Sequence, residues 1–150
     1  MQNLDGGWGA FDADNTHEFL NNIPFADHGA LLDPPSPDLT ARCICMLAQL
    51  GGTLETSEPM RRGVEYLRRT QLPDGSWVGR WGINYIYGTW QVIVGLRAVE
   101  VPTDDPAVVN AANWLLAYQQ SSGGWGESPD SYDDPKLRGQ GPVTASQTAW

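Results

Sequence analysis

The stretch Arg62-Gly-Val-Glu-Tyr66-Leu67-Arg-Arg-Thr-Gln71-Leu-Pro-Asp-Gly75-Ser-Trp77 occurs more than once in this chain. Displaced by 48 residues, Asn110-Ala-Ala-Asn-Trp114-Leu115-Leu-Ala-Tyr-Gln119-Gln-Ser-Ser-Gly123-Gly-Trp125 repeats it. The aromatic residue, the following Leu, the Gln, the Gly and the Trp all keep their spacing. A shorter copy, Gln2, Gly6 and Trp8, opens the chain with the Gln-x3-Gly-x-Trp tail alone. Such a repeat dictates architecture ahead of any local signal.

Working outward, residues 1–36 read as loop, punctuated by Gly6-Gly-Trp-Gly9 and closed by Leu32-Asp-Pro-Pro-Ser-Pro37. Ser36 followed by Pro37 predicts a helix start with Ser36 as the cap. That helix runs to about Leu50 and stops at Gly51-Gly52. It is apolar almost all round, which predicts burial on most sides. A second helix, about Pro59–Thr70, places Met60, Val64 and Leu67 on one face and Arg61, Arg62, Glu65, Arg68 and Arg69 on the other, so it lies outside. A third, Tyr87–Val99, is apolar again. The fourth starts at Asp105-Pro106, reaches about Gln119 and carries Asn110 and Asn113 on a polar face. A further helix begins at Thr144-Ala-Ser-Gln-Thr-Ala-Trp150.

Buried and amphipathic helices thus alternate, the pattern of a double-walled α/α toroid or solenoid in an all-α protein. The chain opens inside one repeat and stops inside a new helix. It is therefore expected to be part of one α/α domain, incomplete at both ends. In that setting the repeat residues Gln2, Trp8, Gln71, Trp77, Gln119 and Trp125 are braces. The Gln is expected to satisfy backbone groups left open at helix ends. The Gly permits a positive-φ turn, and the Trp packs over the joint.

Composition narrows the function. A net charge of −9 and a pI near 4.4 argue against nucleic-acid binding. The one basic cluster, Arg61, Arg62, Arg68 and Arg69, reads as the solvated face of the second helix. Cys43 and Cys45 diverge by roughly 200° on a helix and cannot pair with each other there. They read as small apolar side chains in a reducing compartment. No apolar run approaches the ~18 residues a membrane-spanning helix needs.

The repeat resembles the Gln-Trp repeat of triterpene cyclases, and the chain as a whole resembles part of the C-terminal half of the squalene–hopene cyclases. Further strings carry the likeness: Gly6-Gly-Trp-Gly-Ala-Phe-Asp-Ala-Asp-Asn-Thr16, Ile23-Pro-Phe25, Asp33-Pro-Pro-Ser-Pro-Asp38, Gly79-Arg-Trp-Gly-Ile-Asn-Tyr-Ile-Tyr-Gly88 and Ser146-Gln-Thr-Ala-Trp150. The resemblance implies an α/α-barrel enzyme that folds squalene in a central cavity and protonates a terminal alkene. Ring closures then run through carbocations to hopene or hopanol. It implies no metal or organic cofactor, a peripheral place on the cytoplasmic side of a bacterial membrane, and a homodimer.

Residue by residue, it implies cavity-lining roles for Phe11, Phe25, Trp81 and Tyr87, since ring faces stabilise cations by about 2 kcal/mol when desolvated. The first of these is often Tyr in the family; Phe11 keeps the ring and loses the hydroxyl. Ala26 and His28, beside Phe25, also depart from some members. The proton donor belongs to an Asp-x-Asp-Asp motif that the resemblance places before residue 1. Asp12-Ala-Asp14-Asn15 aligns with another stretch and reads as loop bonding. Asp38 matches a carboxylate near the acid, and Arg42 stands where some members have His. A cation there would favour the acid's conjugate base, although Arg cannot relay a proton as His can. The plain alternative is an i,i+4 pair between Asp38 and Arg42. Rival functions are an oxidosqualene or class II diterpene cyclase, a zinc-dependent prenyltransferase β subunit and a non-catalytic helical-repeat module.

Overall fold

The computed structural model describes residues 1–15, 17–24 and 32–150. Phe25, with Ala26 and His28, lies outside the described residues. The order is α1 (Pro37–Gln49), α2 (Glu58–Thr70), α3 (Tyr85–Ala98), α4 (Pro106–Ala117) and α5 (Ala145–Ala149), with short 3-10 turns at Glu18–Asn22, Pro129–Tyr132 and Pro135–Leu137. Among the described residues extended pairing is confined to two isolated bridges, Gln2 with Trp8 and Trp8 with Ser36. The protein is all-α, as the pattern implied.

The helices form two rows. α1 packs along α3, with α2 laid on α1 and α4 on α3. One core runs through this sandwich, with Ala41 and Ile44 from α1, Met60, Val64 and Leu67 from α2, and Val92 and Leu96 from α3. The amphipathic reading of α2 holds, because Met60 and Leu67 are fully buried. The reading of α1 and α3 as buried on most sides holds, with one stripe of each left open. Arg42, Met46 and Gln49 leave an exposed stripe on α1, and Val94 and Arg97 leave one on α3 beside half-buried Trp90. The reason is that two rows cover three sides of an inner helix and leave the fourth open.

Helix starts follow their caps. Ser57 Oγ accepts from Met60 N, and Asp105 accepts from Ala107 N. Ser36 occupies the cap position of α1 but makes no side-chain cap bond. Its hydroxyl is buried without a partner, so Pro37 alone supplies the start signal. The second helix's basic cluster is also not a bare solvated face. Arg61 donates to the carbonyls of Leu54 and Glu55, Arg62 to those of Asn3 and Leu4, and Arg69 to that of Asp5. Arg68 pairs with Asp105 at 2.7 Å. A guanidinium has donors enough to stitch loops to a helix that a plain charge count reads as wet.

The repeat joints show how the rows are tied. Trp77 Nε1 donates to Leu67 O and Trp125 Nε1 to Leu115 O, each at 2.7 Å. Both acceptors lie in the last turn of an outer helix, where carbonyls lack intrahelical partners. The Trp, not the Gln, therefore satisfies the helix end. The Gln instead spans the turn and reaches forward. Gln71 Nε2 donates to Gly75 O and Ala107 O, both at 2.9 Å. Gln2 Nε2 donates likewise to Gly6 O at 2.7 Å and Pro59 O at 2.9 Å. The forward acceptors, Pro59 and Ala107, sit in the first turns of α2 and α4. Three threonines complete the joints. The backbone N–H groups of Trp8, Trp77 and Trp125 donate to the hydroxyls of Thr40, Thr89 and Thr148 at 2.9, 3.0 and 3.1 Å.

Candidate active site

The Gly79–Asn84 loop, between the Trp77 joint and α3, is gripped from several elements. Asp38, fully buried at the start of α1, accepts from Trp81 N at 2.9 Å and Arg80 N at 3.2 Å through Oδ2. Asp33 pairs with the Arg80 side chain and accepts from Trp81 Nε1 at 3.4 Å. At the far end Glu127 Oε2 accepts from Asn84 N at 3.2 Å and Ile86 N at 2.8 Å. Glu127 thereby supplies the cap that Asn84, the residue before α3, does not make for itself. Tyr132 donates from its hydroxyl to Gly82 O at 2.7 Å. Burial raises the Tyr132 hydroxyl above its ordinary range, with the charges of Asp38 and Glu127 adding to it. Two carboxylate oxygens here, Asp38 Oδ1 and Glu127 Oε1, are buried without partners.

This loop and α3 present rings to a cavity of about 830 Å³, lined among others by Arg42, Trp81, Tyr87, Trp90, Glu127 and Trp150. Tyr87 meets Trp150 edge to face at 5.3 Å, and Trp90 stacks on Trp150 at 5.9 Å with planes 15° apart. Trp81 is 48% exposed, an open face rather than a core ring. Phe11, exposed and outside that lining, sits edge-on to Trp81 at 6.3 Å.

Arg42 Nη2 donates to the Tyr87 hydroxyl at 2.9 Å, and its guanidinium carbon lies 5.8 Å from that ring's centre. With the Gln91 amide assigned so that its oxygen rather than its nitrogen faces Arg42, the orientation in which both atoms find partners, it accepts from Arg42 Nε and Nη2, each at 3.0 Å. Arg42 makes no ion pair with Asp38 among the described residues. The i,i+4 alternative therefore fails, because Asp38 turns to the loop amides and Arg42 turns across to α3. Burial pushes the Tyr87 hydroxyl up, the Asp38 charge pushes the same way, and Arg42 opposes both. Tyr87 is thus a neutral phenol at ordinary pH, accepting from Arg42 and free to donate elsewhere.

The structure accordingly brings Trp81, Tyr87, Asp38 and Arg42 into one neighbourhood and sets Phe11 behind it. Sequence reasoning missed Trp90, Gln91, Glu127 and Trp150. Trp90 and Gln91 had a signal, since they stand one helical turn after Tyr87. Glu127 had none, being more than forty residues from the amides it holds. The Asp12–Asn15 segment behaves as loop bonding: Asp14 accepts from Leu4 N at 2.8 Å, and Asp12 accepts from Asn15 Nδ2. Cys43 and Cys45 are both free.

A family model described as the squalene-hopene cyclase C-terminal domain matches residues 1–150. The chain is 58% identical over 151 residues to a squalene–hopene cyclase of Bradyrhizobium diazoefficiens, covering 100% of this chain and 23% of that protein. It is 49% identical over 150 residues to the squalene–hopene cyclase of Alicyclobacillus acidocaldarius, covering 100% of this chain and 24% of that protein. A dammaradiene synthase of Dryopteris crassirhizoma is 43% identical over 168 residues, again with 100% of this chain and 24% of the relative covered. The chain spans about a quarter of the length of these curated relatives.

Proposed function

We propose, since this chain belongs to the squalene–hopene cyclase C-terminal domain family, that it forms one wall of a triterpene cyclase cavity. In that cavity squalene is protonated and closed through carbocations to hopene or hopanol. The observation that carries the reading is the set of aromatic rings, Trp81, Tyr87, Trp90 and Trp150, that line one cavity. Ring faces stabilise a passing cation without capturing it. The exposed stripes of α1 and α3, with Met46 and Val94 on them, support the same reading, as surfaces where further walls of a longer protein would close the cavity.

The acid belongs outside residues 1–150 in this proposal, and the chain supplies its surroundings. A buried acceptor with no partner calls for a donor. A protonated carboxyl of the acid motif would satisfy Asp38 Oδ1. Arg42 adds a fixed positive charge next to the same site and favours the conjugate base. Phe11 supports Trp81 from behind, and Phe25 is assigned to the wall from the resemblance alone. We extend the proposal to peripheral, monotopic attachment on the cytoplasmic side of a bacterial membrane and to a homodimer. Among the described residues no helix is long and apolar enough to cross a membrane.

The test is product analysis by gas chromatography–mass spectrometry. The full-length protein carrying this chain is incubated in detergent with squalene and, separately, with oxidosqualene. Hopene or hopanol from squalene is the expected result. Product from the epoxide alone would move the assignment to the sterol-forming branch. Folded protein that cyclises neither, nor a linear diterpene diphosphate, would leave a helical-repeat module.

A further inference from the structure

We propose that Gln91 is a positioning residue: it holds the Arg42 guanidinium so that Nη2 is presented to the Tyr87 hydroxyl, leaving the phenol's own proton to face the cavity. This rests on the cyclase reading above. Gln91 and Tyr87 stand one turn apart on α3, and Arg42 reaches both from α1. Gln91 is only 7% exposed, so its amide oxygen needs an internal donor. In the amide orientation that places the oxygen toward Arg42, its Nε and Nη2 groups supply two, at 3.0 Å each.

The geometry gives that contact a consequence. The Nε–Nη2 edge of a guanidinium is a flat fork, and one oxygen accepting both hydrogens fixes the plane of the whole group. With the plane fixed, the second hydrogen on Nη2 has one direction left, and Tyr87 Oη lies along it at 2.9 Å. The phenol oxygen then has a lone pair occupied by a cation's donor, and its hydrogen turns to the opposite side. Without Gln91, Arg42 is a long side chain on an exposed stripe, with several rotamers open to it. Asp38, one turn back on α1, would compete for it.

Three variants of the full-length protein test this: Gln91→Ala, Gln91→Glu and Gln91→Ala combined with Arg42→Ala. Gln91→Ala is expected to lower kcat for squalene about tenfold, with KM changed less than about twofold. Gln91→Glu keeps acceptors for the fork and should recover most of the rate. In the Arg42→Ala background the further change Gln91→Ala should cost almost nothing, since residues acting as a unit are not additive. Equal losses with and without Arg42 would make Gln91 a packing residue and overturn the proposal, as would an unchanged kcat. A crystal structure of Gln91→Ala reads the geometry independently of activity. The Arg42 Nη2 to Tyr87 Oη distance should open past about 3.5 Å. If it stays closed, the proposal fails even for an active enzyme. A wild-type protein that cyclises nothing would sink the cyclase reading, while the crystallographic arm would still decide the role of Gln91 in holding Arg42.

Discussion

The joint at Gln71–Trp77 and the joint at Gln119–Trp125 are written in nearly the same residues and are finished differently. In both, the Gln amide spans the turn to the Gly carbonyl, and the indole N–H closes on the carbonyl ten residues back. In the first, Gln71 also bonds Ala107 O on α4. Gly75, at φ 96°, lies so close that a Cβ would stand 2.6 Å from Asn110 O, and Trp77 is fully buried. In the second, Gln119 has no forward bond among the described residues and is exposed. Gly123 keeps a φ of 83° with nothing within 4 Å of its Cβ position, and Trp125 is half-buried. The turn is therefore encoded locally, and the tether exists only where a following outer helix is docked.

The widest expected gap between the joints is at the tryptophans. Trp77→Ala removes a fully buried ring and its helix-end bond, and should cost about 3–5 kcal/mol. Trp125→Ala should cost less, about 2–3 kcal/mol, since part of the ring already meets solvent. Urea unfolding of the two variants side by side makes the comparison, and equal costs would break it. Next come the glycines. Gly75→Ala meets both strain and the α4 backbone and should lose more than about 2 kcal/mol. Gly123→Ala meets the positive-φ penalty alone, about 1 kcal/mol. A smaller gap is expected at the glutamines. Gln71→Ala loses two bonds, about 2 kcal/mol, and Gln119→Ala one exposed bond, below about 1 kcal/mol. Measured in a longer protein that supplies another outer helix, the Gln119 cost should rise to the Gln71 value.

The smallest expected difference is in acid. Asp74, in the first joint, accepts from the backbone N–H and hydroxyl of Ser76 and from Arg138 Nη1. Burial opposes ionisation there, but those bonds outweigh it and the carboxyl sits below its ordinary 3.8. A depressed carboxyl contributes stability that is present above its unfolded value and is lost as pH falls through the folded one. The first joint should thus loosen below about pH 4, and Asp74→Asn should remove that slope in thermal unfolding followed across pH 2.5–6. The second joint has Ser122 at the matching position and should show no such slope.

Much of the fold was legible because it rests on short-range rules. Pro37, Pro59 and Pro106 mark helix starts within a residue or two of the observed ones, because a proline is favoured in the first turn whatever surrounds it. The alternation of apolar and amphipathic helices named the two rows, since the face a helix buries is written at a spacing of 3.6 residues. The candidate site was legible only in part. Trp81 and Tyr87 were singled out by likeness, and the structure places both beside one cavity, Trp81 open and Tyr87 buried. The partners of Asp38 and Arg42 were not legible, because an i,i+4 pair is available to any such sequence and the partners found lie more than forty residues on.

By itself, then, the sequence determined the helices, the internal bonds of each joint and the residue types at the cavity. These depend on backbone geometry within roughly ten residues. Only the tertiary structure decided which joint is tethered and that Glu127 holds the start of α3. It also decided that Arg42 serves Tyr87 and Gln91 instead of Asp38. The physical reason is common to all three. A buried donor or acceptor takes whichever partner packing brings within reach, and packing joins segments that the order of residues keeps far apart.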